Sequence, residues 1–355
     1  MTFSSRFSTW DSAHYLSLSQ FGYQRGSASC ALYPLWPGAI HVASAAAGGR
    51  PVLAGLVLAN VLSVIGLWLF YRLVERRWGA TVSRDALILM LAFPGALFFS
   101  FPYSESLYLV ILMLFFWGLE SERWAWTAVG GALLPLARPL GVLVVLALGW
   151  YWLERPRRLR TRHAKAVLVS DGAAQGLTGF DGLKSGRLRC LGRWLLLLCP
   201  LAGYGVYFGL MTAWTGNPIE GFIAQRGYPN SPSIRNMFDL PRFADALLNV
   251  DSLGGMMGGA LDRVFFLLFV ALLPLIWRLD RVWFFYTLPA GLVPALTSWF
   301  MSYRRYFMVL FPAFIVLAQL LGKTKSRWLF WYYVALLAAV QAWAVSQFIN
   351  FKWAG

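Results

Sequence analysis

The sequence predicts an all-α polytopic membrane protein with about eight full transmembrane spans and two half-length helices. Three observations lead to this fold class. Hydrophobic residues make up 59% of the 355 residues and charged residues only 13%, a balance that is not typical of a soluble protein. Apolar runs of about 17 to 25 residues, the length that crosses a bilayer, recur along the chain. A further apolar stretch, 124–153, is interrupted by Pro135 and by Arg138-Pro139.

The candidate spans are the uninterrupted apolar runs, and together they cover most of the chain. They lie at 51–71, 85–101, 104–120, 194–214, 261–278, 282–300, 306–322 and 327–348. Lys and Arg concentrate in the intervening segments 72–84, 154–193 and 323–327. Cytoplasmic loops carry the excess of Lys and Arg, so we expect these three segments in the cytoplasm.

The same rule predicts how the interrupted stretch 124–153 is arranged. Its two flanks, Glu120 to Arg123 and 155–193, both fall on the cytoplasmic side, so the stretch crosses an even number of times. Two half-length helices that meet near Arg138-Pro139 satisfy this condition. Broken helices are tolerated at membrane depth only where protein or a water-filled cavity covers their backbone groups, so we expect a cavity there.

The remaining segments complete a single transmembrane domain, 1–355. Residues 1–50 form an external first region, 154–193 a basic cytoplasmic loop, and 215–260 a long external polar loop. No apolar run precedes Thr9, so we expect no cleavable signal. The net charge of +16 lies mostly on the cytoplasmic loops, where it attracts anionic membrane lipids. Nucleic acid is not an expected partner, because the chain has no soluble basic domain.

Two carboxylates stand out on the external side. Glu105 interrupts an otherwise uncharged apolar run, where an acid costs about 2.5 to 3.5 kcal/mol, and such a residue marks a functional site by default. Asp11 lies in the first region, three residues before His14. Each has a simpler interpretation: Asp11 could cap a helix, and Glu105 could be a structural acid paired with Arg138.

The cysteines and the candidate metal ligands in the sequence predict neither a disulfide nor a metal site. Cys30, Cys190 and Cys199 have neither disulfide nor zinc spacing, so neither a disulfide framework nor a zinc site is predicted. Asp11, His14 and Glu105 could converge on a divalent cation, but no ligand spacing assigns one. We therefore assign no cofactor and no metal ligand from the sequence.

Five motifs in order carry a resemblance to a known family. They are Trp10-Asp11-Ser12-Ala13-His14-Tyr15, Leu32-Tyr33-Pro34-Leu35-Trp36-Pro37, Phe101-Pro102-Tyr103-Ser104-Glu105-Ser106-Leu107, Ala137-Arg138-Pro139-Leu140-Gly141 and Arg305-Tyr306-Phe307. This set resembles the GPI mannosyltransferase II family and its prokaryotic relatives. Its members are integral-membrane glycosyltransferases of the GT-C class, which take a sugar from a polyprenyl-phosphate carrier on the extracytoplasmic side. The resemblance implies a GT-C-type helical bundle in a prokaryotic plasma membrane. Relatives usually have a transmembrane helix before the Trp-Asp motif, where this chain has nine residues.

The resemblance implies that Asp11 is the catalytic base of an inverting transfer of a hexose, with mannose the first candidate, to a lipid or glycan acceptor. Charge on the leaving phosphate needs cations, and Arg304-Arg305 is an external arginine pair that could supply them, although both could instead snorkel to the interface. The other candidates are Glu105 and His14 for catalysis, and Arg138, Tyr103, Ser104 and Tyr33 for substrate binding. His14 could equally be an interfacial histidine, and Tyr33 could belong to an aromatic belt.

Two other functions fit the same composition. A flippase would bind the lipid-linked sugar without transferring it, and we would expect inverted repeats with broken helices in both halves. The sequence has no such symmetry. A noncatalytic subunit of a larger transferase is the third interpretation, and the complete motif around Asp11 argues against it.

Overall fold

The computed structural model describes residues 7–154, 194–250, 252–255, 258–322 and 327–353. The predicted basic loop 154–193 therefore lies outside the described residues except for Glu154, as do Cys190, Lys323 and Lys325. The described residues are mostly helical and contain no strands, as predicted. The α-helices are α1 Asp11–Phe21, α2 Leu35–Ala46, α3 Pro51–Ala92, α4 Glu105–Glu120, α5 Trp124–Ala137, α6 Pro139–Glu154, α7 Leu195–Thr215, α8 Glu220–Gln225, α9 Leu240–Leu248, α10 Ala260–Leu279, α11 Arg281–Ser298, α12 Tyr303–Phe307, α13 Phe311–Gly322 and α14 Trp328–Ile349.

Among the described residues, four helices are long and apolar enough to cross a membrane: α3, α7, α10 and α14. This supports a helical membrane protein, and the described residues show fewer than the expected eight or so full spans. The helix in 85–101 ends at Ala92, because Phe93 is extended and a 3₁₀ helix, Pro94–Phe99, follows. The helix in 306–322 is only 12 residues long, from Phe311.

Two further candidates are not among the helices long and apolar enough to cross a membrane. The run 104–120 forms α4, which has only 16 residues. The run 282–300 forms α11, which has 18 residues, continues through Pro289 and Pro294, and begins with Arg281.

The long helix α3 folds back on itself at Gly79. The backbone of Gly79 has φ 80° and ψ 170°, a conformation that glycine adopts at no steric cost. Ser83 Oγ donates a hydrogen bond of 2.6 Å to the carbonyl of Tyr71, although twelve residues of straight helix would separate them by about 18 Å. Two arms, 51–78 and 80–92, therefore run antiparallel, with the turn in the predicted basic segment.

The interrupted stretch forms a hairpin of two short helices, α5 and α6. The break falls at Arg138, whose backbone is extended, as predicted. The Trp124 ring lies 5.2 Å from that of Trp152, so the hairpin begins and ends at the same end of the bundle. Gly141 packs against the end of α5, where a Cβ would lie 2.2 Å from the Leu134 carbonyl. The tip of the hairpin therefore requires glycine at this position.

The bundle has two distinct ends. The basic end gathers the α3 turn, the C-termini of α4, α6 and α10, and the N-terminus of α14, which are joined by ion pairs. These pairs are Arg77 with Glu120 and Asp280, Arg281 with Glu154, and Arg327 with Asp85. The other end, here the cavity end, holds α1, the hairpin tip, α12 and the segment 216–259. An aromatic core that includes Phe93, Phe116, Trp283, Phe311 and Phe314 lies between the two ends.

Candidate functional site

A cavity of about 790 Å³ opens at the cavity end. Residues from α1, the hairpin tip, α11, α12 and the segment 216–259 line it. Both external carboxylates of the sequence analysis lie at this end, although only Asp11 lines the cavity and Glu105 lies behind its wall. The hairpin tip contributes Arg138 and Pro139, which agrees with the expected cavity beside the helix break.

Four charged side chains form a connected cluster on the cavity wall, and we call them the charge cluster. Arg305 Nη1 donates to Asp11 Oδ2 at 2.5 Å, and Arg305 Nε donates to Glu105 Oε1 at 2.7 Å. Arg138 Nη1 donates to the same Glu105 oxygen at 3.1 Å. Arg305 thus holds together two carboxylates that are far apart in sequence. Glu105 is fully buried, whereas the side chain of Asp11 is 19% exposed.

Helix termini and a strained turn position these four side chains. Asp11 lies in the first turn of α1 and Glu105 is the first residue of α4, and helix N-termini favour negative charge. Arg305 lies in α12, which follows left-handed backbone at Trp299, Phe300 and Ser302. Such conformations are costly for residues with a Cβ and persist where the surrounding structure enforces them. This turn sets the direction in which α12 presents its arginines.

Aromatic rings hold both guanidinium groups. Arg305 lies over the rings of Phe98 and Tyr103 at 4.8 and 4.7 Å, and Arg138 lies over that of Tyr306 at 5.3 Å. Cation–π contacts of this kind stabilise a desolvated arginine without using its N–H donors. The donors that remain can therefore serve another acceptor.

Three polar atoms of the charge cluster have no hydrogen-bond partner among the described residues, and we call them open. Among the described residues, nothing accepts from Nη2 of Arg305 or of Arg138, and nothing donates to Asp11 Oδ1. None of these three atoms is among the buried atoms that lack a partner, and all three residues line the cavity. The wall thus presents two guanidinium donors beside one carboxylate oxygen, an arrangement that can bind an anion next to a base.

Asp11 does not cap its helix. Trp10 occupies the N-cap position, and no side chain caps α1. The carboxylate pairs with Arg305 instead, so the capping interpretation is not supported. Glu105 does pair with Arg138, as the structural interpretation required, but it also contacts Arg305 and has one oxygen, Oε2, without a partner among the described residues.

His14 and two tyrosines extend the polar side of the cavity. His14 lies one turn after Asp11 on α1, lines the cavity, and its Nδ1 is 2.8 Å from Ser29 Oγ. Tyr228 also lines the cavity, and burial raises the pKa of its phenol. The Tyr15 hydroxyl donates to Ser104 Oγ at 3.0 Å. A single helix, α1, thus contributes three polar side chains to this region.

The predicted substrate-binding residues divide into two groups. Tyr33 lines the cavity, stacks on Tyr207 at 4.5 Å and shares a hydrogen bond of 2.9 Å with the Tyr204 hydroxyl. Tyr103 and Ser104 do not line the cavity. They lie behind it, where Tyr103 contacts the Arg305 guanidinium and Ser104 accepts from Tyr15. These two residues therefore position others.

The two arginines of the predicted pair, Arg304 and Arg305, occupy different environments. Arg304 is fully buried and does not line the cavity. Its Nε and its backbone N–H donate to Asp262 Oδ1 at 3.3 and 3.1 Å, which ties α12 to α10. Adjacent residues on a helix point about 100° apart, so only Arg305 reaches the cavity. The expectation that both arginines face a substrate is corrected for Arg304.

Three contributors to the site were missed. Arg226 and Arg235 are exposed at the cavity wall, and Tyr228 covers His14. All belong to the segment 216–259, which we expected to be a polar external loop. Glu220 anchors this segment by accepting from the Gly26 N–H at 2.7 Å, a contact across nearly two hundred residues with no local sequence signal.

No group of three or more His, Cys, Asp or Glu side chains that could hold a metal ion occurs within the part of the chain that the structure describes. Asp11, His14 and Glu105 do not form the suggested ligand set, because Arg305 lies between the two carboxylates and donates to both. A guanidinium occupies the place considered for a divalent cation.

No protein-family model, curated protein or solved structure matches this chain. The resemblance to the GPI mannosyltransferase II family therefore stays a prediction based on the five motifs.

Proposed function

We propose that the protein is a GT-C-type integral-membrane glycosyltransferase that moves a hexose, with mannose the first candidate, from a polyprenyl-phosphate carrier to a lipid or glycan acceptor. The observation that carries the proposal is the charge cluster. Two arginines with open donors and a carboxylate with an open oxygen share one cavity wall. Transfer from a phosphate carrier needs both functions within one site.

In the proposed reaction Asp11 is the base. Its open oxygen takes the proton of an acceptor hydroxyl while the hydroxyl oxygen forms a bond to the anomeric carbon of the donor. The bond between that carbon and the phosphate oxygen breaks, and the phosphate leaves with the electron pair. Attack opposite to the leaving group inverts the anomeric carbon. Positioned acid–base catalysis contributes about 10² to 10⁴-fold.

The arginines stabilise the leaving group. Arg305 and Arg138 point their open donors into the cavity, and charge-assisted hydrogen bonds to phosphate oxygens are the strong kind. Glu105 is a positioning residue, since it contacts both guanidinium groups from behind the wall. We propose that a bound phosphate takes over part of the contact of Arg305 with Asp11 and so makes Asp11 available as a base.

The rest of the cavity suits a lipid-linked sugar. Its volume falls within the range of ordinary ligand sites. Apolar side chains such as Leu143 and Val293 line it, as does an aromatic wall of Tyr33, Tyr204 and Phe222. Aromatic faces bury apolar surface while their hydroxyl groups stay hydrogen bonded. The proposal places the cavity end on the extracytoplasmic side of a prokaryotic plasma membrane, which follows from the sequence prediction that the Lys- and Arg-rich segments 72–84, 154–193 and 323–327 are cytoplasmic.

The test is a transfer assay with purified protein in proteoliposomes. Polyprenyl phosphate with radiolabelled mannose is the donor, and a total membrane lipid extract is the acceptor. We expect labelled acceptor together with free polyprenyl phosphate. If the intact donor instead crosses the vesicle membrane with its sugar bond unbroken, the protein is a flippase and the proposal fails.

A further inference from the structure

We propose that the segment 234–250, here the rim segment, is inserted into the lipid leaflet at the cavity end of the bundle. The membrane contact follows from exposed side chains alone. Its use as the route by which a lipid-linked donor reaches the cavity rests on the proposed function. The surface lies outside the charge cluster and comprises the 3₁₀ helix Ile234–Phe238 and the helix α9.

The rim segment exposes an unusual concentration of large apolar side chains. Phe238 is 83% exposed, Leu248 78%, and Ile234 and Leu240 62% each. No residue of either helix is buried. Soluble proteins rarely expose contiguous apolar patches of this kind to water without a partner. This part of the predicted external loop is therefore helical and exposes apolar side chains.

The helix α9 is amphipathic, and its apolar face is only partly covered. Phe243 and Leu247 pack against the core. Leu240 and Leu248 lie on the outer part of the same apolar face and are exposed, while Arg242 and Asp245 occupy the opposite face. A short helix of this pattern lies in the plane of a membrane interface, with its apolar face among the acyl chains.

The position of the rim segment selects lipid as the partner. The segment lies between the end of α7 and the start of α10, both long and apolar enough to span a membrane. Near those ends, Trp214, Val264 and Leu267 are 45 to 55% exposed, so the apolar surface of the spanning helices continues toward the rim segment. Arg235 and Arg242 are balanced by Asp239 and Asp245 within the segment, so its apolar side chains and not its net charge favour lipid.

The rim segment also borders the cavity. Ile234, Arg235 and Met237 line the cavity, whereas Phe238 does not. One side of the segment therefore faces the site, and we infer that its other side faces lipid. A donor whose polyprenyl chain stays in the leaflet could pass this border without exposing its chain to water.

The depth of the rim segment is measurable without any enzymatic assay. Cys30, Cys190 and Cys199 are replaced by Ala, and a single nitroxide-labelled cysteine is placed at Phe238, Leu248 or Asp245. Asp245 is the matched control, because it lies on the polar face of the same helix. Each protein is reconstituted in vesicles of zwitterionic and anionic phospholipid and checked for monodispersity. Collision with oxygen, which concentrates in lipid, is compared with collision with a water-soluble nickel chelate.

We expect the oxygen-to-nickel ratio to be at least about fivefold higher at 238 and 248 than at 245. Equal ratios at the three positions, with high nickel access, would overturn membrane insertion.

A second measurement uses the double variant F238S/L248S. The KM for a long-chain donor should rise at least about fivefold at unchanged kcat, with a short-chain, water-soluble donor unaffected. An unchanged KM would overturn the route alone. Insertion without sugar transfer by the wild type would overturn the proposed function and leave the membrane contact standing.

Discussion

The two ends of the bundle use the same chemical pair, arginine with a carboxylate, in opposite ways. At the basic end the arginines are accessible: the side chains of Arg77, Arg281 and Arg327 are 29 to 46% exposed. At the cavity end the side chains of Arg138 and Arg305 are 8 to 9% exposed, and Glu105 is fully buried. Exposed pairs contribute about 0 to 1 kcal/mol. Buried pairs often fail to recover their desolvation cost, so stability alone does not account for the charge cluster.

The two ends also differ in whether both oxygens of each carboxylate accept hydrogen bonds. Asp280 accepts from Arg77 with one oxygen and from the Trp283 N–H with the other. Asp85 accepts four arginine hydrogen bonds on its two oxygens, two from Arg327 and two longer ones from Arg84. In the charge cluster, by contrast, Asp11 keeps an oxygen open toward the cavity. This difference supports a structural role for the ion pairs of the basic end and agrees with the binding and catalytic role proposed for the cavity end.

The largest expected effect comes from neutralising the buried carboxylate. Glu105→Gln leaves Arg138 without a carboxylate partner and Arg305 with Asp11 alone, and breaking a buried pair costs about 3 to 5 kcal/mol. Thermal unfolding of the purified variant in detergent measures this loss. Glu120→Gln at the basic end is the matched control and should cost about 1 kcal/mol or less. Equal losses in the two variants would remove the contrast between the ends.

Replacing one arginine by lysine at each end compares the two ends without removing a charge. Arg305→Lys replaces a planar fork that reaches two carboxylates with a single ammonium group, and we expect a loss of about 2 kcal/mol in unfolding free energy. Arg327→Lys at the basic end should change it by about 0.5 kcal/mol, because the Arg327 side chain is 42% exposed. Added salt should weaken the contribution of Arg327 and leave that of Arg305 nearly unchanged. A salt-sensitive loss at Arg305 would mean that the charge cluster is open to solvent.

A smaller effect is expected from the backbone that carries Arg138. Gly141→Ala places a methyl group against the Leu134 carbonyl, and overpacking of this kind costs about 1 to 3 kcal/mol. Gly209→Ala on α7 is the control, because nothing lies within 4 Å of its Cβ position, and it should stabilise slightly. Chemical crosslinking between α5 and α6 reports whether the hairpin tip has shifted. An unchanged melting temperature for Gly141→Ala would show that the backbone of the hairpin tip shifts to accommodate the methyl group, and would contradict the expected overpacking.

Much of the architecture was predictable from the sequence because its signals are local. The arginines of segment 72–84 marked the turn at the basic end, and Arg138-Pro139 marked the hairpin break. An acid in an apolar run identified Glu105. Fewer full spans are described than were expected, because apolar composition does not show where a helix ends inside an apolar run, as at Ala92, where a 3₁₀ helix follows.

The details of the site depended on tertiary structure. The division between Arg304 and Arg305 follows from the phase of α12, which the left-handed residues before it set. Tyr228 reaches the cavity because its segment is anchored near residues 26 to 28, through Glu220 and through the Tyr228 hydroxyl bond to the Ala28 carbonyl. No short pattern in the sequence encodes such a contact. The motifs thus indicated Asp11, Arg138 and Arg305, which the fold brings to one cavity, whereas the rest of the cavity lining required the fold.

The central claim is that Asp11 acts as a base, and the substitution Asp11→Asn tests it most directly. Asparagine keeps the shape of the side chain and lacks the charge. The control is Asp239→Asn, since Asp239 caps α9 at the same end of the bundle and asparagine caps equally well. Transfer from a polyprenyl-phosphate-linked sugar is measured in proteoliposomes, with donor binding measured in parallel. We predict that turnover falls at least about 10²-fold in Asp11→Asn, while donor binding persists and Asp239→Asn remains active. Near-normal turnover of Asp11→Asn would contradict the account.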